Sequence, residues 1–124
     1  MGRAFERSGR DWALGLTGYQ LGRALEYRVR DQLRAAGFFV MRSPQSRTPV
    51  DVVAISSGRV VFVQCKRGGA FGVKGWNEFW ELCRSVGAEP VLASCPTGRG
   101  TRYQRITGPK DGRGGRQPLD DWTP

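Results

Sequence analysis

The chain contains no histidine and only three cysteines, Cys65, Cys83 and Cys95, far apart and without a CxxC pair. Those shortages leave a structural zinc site without enough ligands. They also remove the commonest general base, so hydrolytic chemistry here has to run on carboxylates, lysine or a metal ion. A disulfide framework is not expected, and a reducing cytoplasm is. No apolar run reaches membrane-spanning length, and the opening MGRAFERSGRDW lacks the apolar centre of a signal peptide. Acids are scarce as well. Eleven Asp and Glu stand against twenty Lys and Arg, for a formal charge of +9 and a pI near 10.5.

What is abundant is arginine, which holds phosphate through a planar fork where lysine offers a point charge. No helical pattern joins a basic face to a broad apolar one. The expected partner is therefore a polyanion, nucleic acid before membrane, with simple solubility as the plainer alternative. A length of 124 residues allows one small domain.

Residues 1–18 read as a basic arm, 19–107 as the folded domain, and 108–124 as a Gly/Pro-rich tail expected to be disordered. In that tail, PLDDWTP is less readily read as a docking peptide. From Tyr19 to Ala36, Leu21, Leu25, Val29 and Leu33 recur every fourth residue and Gly37 supplies a stop, which predicts an amphipathic helix. FFVMR at 38–42 predicts a short strand, and two further strands, about 50–56 and 59–66, flank Ser57–Gly58. A second helix is expected over 76–87, then a buried strand at 90–95 and an edge strand at 103–107. The order αβββαββ gives an α/β fold with a mixed central sheet flanked by helices, the helix crossing over to a parallel strand.

The hairpin VDVVAISSGRVVFVQCKR carries one acid, one amide and one amine on strands otherwise built for burial. With Ser57–Gly58 as the turn, paired residue numbers sum to 115, which sets Asp51 across from Gln64, with Cβ atoms about 5 Å apart. Gln64 and Lys66 share a face. A buried Asp51–Lys66 ion pair with a hydrogen-bonded Gln64 is the structural alternative to a site. Glu26 lies beside the apolar stripe of the first helix, where it reads either as a fourth site group or as a surface partner of Arg30 or Arg23.

The stretch GRALEYRVRDQLRAAGFFVMRS…PVDVVAISSGRVVFVQCKRGG resembles the archaeal-type Holliday junction resolvases, including bacteriophage members, of the PD-(D/E)xK nuclease superfamily, over about residues 20–95. The resemblance implies a restriction-endonuclease-like core and site residues Glu26, Arg42, Asp51, Gln64 and Lys66, with Ser43 or Ser46 as the serine of a catalytic loop. Three positions depart from the pattern. Val50 separates proline from aspartate, Gln64 replaces a glutamate, and Tyr27 stands where a basic residue often follows the helix acid.

Such a site predicts Mg²⁺-dependent phosphodiester hydrolysis, with Mn²⁺ able to substitute and no small-molecule cofactor. Asp51, the Gln64 side-chain oxygen and the Cys65 backbone carbonyl would hold the metal, with Glu26 reaching it through water or holding a second ion. Lys66 would orient the attacking water, and Arg42 would clamp the phosphate. A four-way junction cut symmetrically suits a homodimer. Its interface is expected on Trp76, Phe79, Trp80, Cys83 and Val86 of the second helix. Arg3, Arg7, Arg10, Arg28, Arg42, Arg47, Lys74, Arg99, Arg102 and Arg105 are the expected DNA contacts. A nicking or restriction-type nuclease, or a DNA-binding module with a degenerate site, would share these features.

Overall fold

A helix whose apolar residues fall at four-residue steps has to be covered along one stripe, and that stripe organises half of this fold. The computed structural model describes residues 18–43 and 48–124. Arg3, Arg7, Arg10, Ser46 and Arg47 lie outside the described residues. The described residues form α1 (Gly18–Ala35), β1 (Phe39–Arg42), β2 (Val52–Ser56), β3 (Arg59–Cys65), α2 (Val73–Val86), β4 (Glu89–Ser94), β5 (Arg102–Ile106) and β6 (Leu119–Asp121). Leu25, Val29 and Leu33 of α1 are fully buried against Val40, Val52, Ala54, Val61, Val63, Val91 and Ala93 on one face of the sheet.

Gly37 ends α1 in a left-handed conformation with φ 98°. Its N–H donates to the Arg34 carbonyl, and the Phe38 N–H donates to the Leu33 carbonyl. This closure turns Phe38 back onto Leu33 in the same core and aims the chain into β1.

The six strands lie in chain order, β1-β2-β3-β4-β5-β6. All neighbours are antiparallel except β3 and β4, which run parallel with α2 as the crossover. In the β2–β3 hairpin, Ser56 faces Arg59 and Val52 faces Val63, the register expected from the sequence.

The second face of the sheet is covered by α2, and this alters two expectations. Trp76, Phe79 and Cys83 are fully buried with Phe71, Leu92 and Ile106, so the stripe expected as a dimer surface is this face's core. Trp80 is half-buried and Val86 is exposed. A sheet flanked by helices needs two cores, and the second consumed the aromatics.

The segment 108–124 is built into the fold, contrary to its composition. Leu119 packs against the α2-side core, and β6 pairs with β5. Trp122 lies against Tyr103 with ring centroids 5.7 Å apart, and its backbone N–H donates to the Tyr103 carbonyl. A few apolar anchors thus outweigh many Gly and Pro residues. Among the described residues, no helix is long and apolar enough to cross a membrane.

Candidate active site

β2 is shorter than β3 at the open end of the hairpin, and that mismatch builds the site. Pairing holds to Val52↔Val63, but the Asp51 N–H donates to the Val63 carbonyl, so the register slips there. Asp51 therefore does not sit squarely across from Gln64. Its Oδ2 instead accepts the Cys65 N–H at 2.8 Å, standing in for the backbone acceptor that β2 no longer supplies. The Ser43 N–H donates to the Asp51 carbonyl and ties the end of β1 to the same point.

Asp51 is buried, 8 % exposed. Burial first of all pushes its carboxyl up from 3.8 to about 6; the Cys65 amide opposes the rise, Glu26 adds to it, and Lys66 and Arg42 oppose it. These electrostatic partners bring Glu26 from α1, Arg42 from β1 and Lys66 from the end of β3 to one end of the sheet. The Cys65 thiol is raised well above its ordinary value by burial, then by the charges of Asp51 and Glu26, which makes it a poor nucleophile.

Glu26 accepts a hydrogen bond from Arg42 at 2.9 Å, and both side chains are mostly shielded from water. The Arg42 guanidinium also lies 4.1 Å from the centre of the Tyr27 ring. Arg30 stands over the same ring at 4.9 Å and Arg23 at 5.7 Å, and Arg23 donates to the phenol oxygen. Those three arginines draw the Tyr27 hydroxyl pKa below its ordinary value, the Arg23 hydrogen bond most of all. The sequence reading missed Tyr27 as an organiser of cations. Its i−4 and i+3 spacing to Arg23 and Arg30 was visible, but its packing against Arg42 was not.

Gln64 is 8 % exposed, and its Nε2 donates to the Pro49 carbonyl at 2.5 Å. A glutamate at this position has no proton to give that carbonyl. The amide thus fastens the loop entering β2, and it leaves its oxygen as the end able to meet a cation. Lys66 lies with its Nζ 5.2 Å from the centre of the Phe71 ring. Ser43 approaches Thr48 side chain to side chain at 3.4 Å, and Thr48 donates to the Val50 carbonyl, which braces the same loop.

The expected DNA contacts separate into two groups. Arg28 is half-buried and donates to the Cys95 sulfur at 3.7 Å, so it bridges α1 to the end of β4. Lys74, Arg99, Arg102 and Arg105 are exposed.

Two outcomes test this geometry. Below about pH 4 Asp51 is neutral whether folded or not; between about 4 and 6 only the folded chain keeps its proton, so stability falls as pH rises through that window. Asp51→Asn retains an acceptor for Cys65 and removes this cost. Its stability advantage over the parent is expected to grow from pH 4 to pH 7, by at most about 3 kcal/mol in urea unfolding. A constant difference across that range would contradict the desolvated carboxylate. Gln64→Glu, by losing the bond to Pro49, is expected to lower metal-free stability by about 1–3 kcal/mol, with a larger rise in Tm on adding Mg²⁺ than the parent shows.

The family model described as archaeal Holliday junction resolvase (Hjc) matches residues 17–106. No curated protein matches the chain. Among solved structures, Hjc of Archaeoglobus fulgidus, a Holliday junction resolvase from an archaeal hyperthermophile, is similar with a TM-score of 0.58. That match has 19 % identity and covers 72 % of this chain and 80 % of that one; at such identity the likeness is one of fold. The family match takes in both helices, five of the six strands and the whole acid–base cluster. The chain belongs to the archaeal Holliday junction resolvase family, nucleases that resolve four-way DNA junctions.

Proposed function

We propose that the cluster at the end of β3 cuts junction DNA by divalent-metal-dependent phosphodiester hydrolysis, with two copies of the chain acting as a dimer. The observation that carries this reading is the buried Asp51 carboxylate, with Glu26, Arg42 and Lys66 in electrostatic reach of it. Three free thiols suit a reducing cytoplasm.

Among the described residues, no group of three His, Cys, Asp or Glu side chains forms a metal cage. Mg²⁺ does not require one. It accepts one or two carboxylates together with neutral oxygens, waters and substrate phosphate. The donors here are of that kind, and a desolvated carboxylate favours any cation brought beside it. Asp51, the Gln64 side-chain oxygen and the Cys65 carbonyl would hold Mg²⁺ or Mn²⁺, with Glu26 joining through water or at a second ion. When bound, the ion would lower the pKa of a water and neutralise charge on the phosphate.

The chain's own groups supply the remainder. In a strand a residue's N–H and C=O point to the same edge, so the Cys65 carbonyl is turned toward the side on which Asp51 takes its amide. Lys66 orients the attacking water and offsets charge developing on the phosphoryl oxygens. Arg42, held by Glu26 and Tyr27, would grip the phosphate beside the cut. The serine of the catalytic loop is Ser43 or Ser46.

For the dimer, Phe39, Met41 and Ile55 form the apolar surface best suited to a second copy. They are 63 %, 49 % and 41 % exposed, Phe39 pairs with Ile55 across the ladder, and among the described residues β1 is one of the sheet's two edge strands. A two-fold axis there would set two sites against two strands of one junction.

Incubation with labelled four-way junction, linear duplex and single strand, each with Mg²⁺ and with EDTA, is expected to give paired cuts in the junction only, and only with metal. Lys66→Ala should bind the junction yet cut it at least 100-fold more slowly; undiminished cutting would reject its role. Phe39→Asp is expected to convert a dimer to a monomer in light scattering. A parent that is already monomeric would remove the dimer from this reading.

A further inference from the structure

The segment after β5 lies beyond the family match, which ends at residue 106, yet it is fastened to the fold at several points. The Trp76 Nε1 donates to the Gly108 carbonyl at 2.8 Å. Asn77 holds Lys110 on both sides: its Nδ2 donates to the Lys110 carbonyl and its Oδ1 accepts the Lys110 N–H, each at 2.8 Å. The Lys110 ammonium donates to the Phe71 carbonyl and lies 4.4 Å from the centre of the Trp76 ring. Phe71 in turn packs beside Lys66. The chain thus runs from β5 along α2 toward the reacting end of the sheet before returning as β6.

Beyond Lys110 this strap encloses an open cavity of about 720 Å³ against Val73, lined by Lys110, Asp111, Arg113 and Arg116 among glycines. Lys110 is fully engaged and serves as the anchor. Arg113 and Arg116 are exposed, and among the described residues neither has an ion pair with an acid. Among the described residues Asp111 is the one acid in the lining, and its Oδ1 accepts the Arg113 N–H, shaping the turn. The first turn of α2, which the strap faces, contains no acid. A second cleft of about 420 Å³ has Arg116 and Arg102 in its lining together with Asp120 and Asp121. Arg102 pairs with Ser94 at the same end of the sheet as Cys65.

A fixed backbone, exposed guanidinium groups and a first cavity lined by three basic residues against one acid match one kind of partner, the phosphate backbone of DNA. We infer that residues 109–117 form a second DNA-gripping element, in which Arg113 and Arg116, continued by Arg102, hold backbone phosphates of a duplex arm flanking the cut. It rests on the proposed nuclease reading and adds a contact outside the matched domain. The strap raises affinity and sets how an arm leaves the cleavage site; it takes no part in the chemical step.

The test is a salt titration of four-way junction binding in EDTA with the full chain and its Arg113→Ala/Arg116→Ala variant. Each lost phosphate contact lowers the slope of log K against log salt by about 0.9, so the double variant is expected to lose about 2 from the slope. Arg113→Lys/Arg116→Lys should restore most of it, and the single-turnover cutting rate at saturating junction should stay at the parent value. A double variant whose slope and affinity equal those of a junction-binding parent overturns the inference alone. A parent that binds no DNA overturns the nuclease reading with it.

Discussion

One backbone amide at the end of β3 has outrun its neighbouring strand, and the carboxylate of Asp51 replaces the missing acceptor. The rest of the site depends on that substitution. To reach Cys65, the carboxylate must lie inside the sheet's edge, where water solvates it poorly and its proton is released late. Glu26 is close enough to sharpen the demand for positive charge. Arg42 and Lys66 meet part of it, Arg42 through Glu26 and Lys66 through the field at Asp51. A buried acid whose need for a counter-charge is only partly met is primed for a cation.

Gln64 fits this balance. With Asp51 and Glu26 ionised, two negative groups face two positive ones, and a third acid would tip the cluster to net negative before any metal or phosphate arrived. The amide avoids that charge and uses its protons on Pro49, fixing the loop from which Asp51 emerges. Its role in the metal-free protein is therefore mechanical as well as electrostatic.

Much of this arrangement was legible in the sequence. The four-residue step of Leu25, Val29 and Leu33 gave α1 and its buried face, and Ser57–Gly58 gave the hairpin register as far as Val52↔Val63. The slip at Asp51 was not, because a Thr-Pro-Val entry signals a loop without fixing where pairing resumes. The α2 aromatics looked excessive for one core and are what a second core consumes. The tail's glycines and prolines hid Leu119 and Trp122, whose anchoring depends on partners in β5 and the α2-side core. The clustering of arginines around Tyr27 combines a helical spacing that can be read with a contact from β1 that cannot.

The parts of the proposed cutting centre are scattered through the polypeptide. Glu26 lies on a helix, Arg42 on a strand, and Asp51 and Lys66 just beyond the open ends of the two hairpin strands. No short fragment contains them all, and an extended chain keeps them tens of ångströms apart. On that reading, a nascent or unravelled copy has no assembled centre. On the same reading, hydrolytic power would appear only when three strands and a helix have docked, and would vanish with the cooperative melting of the domain.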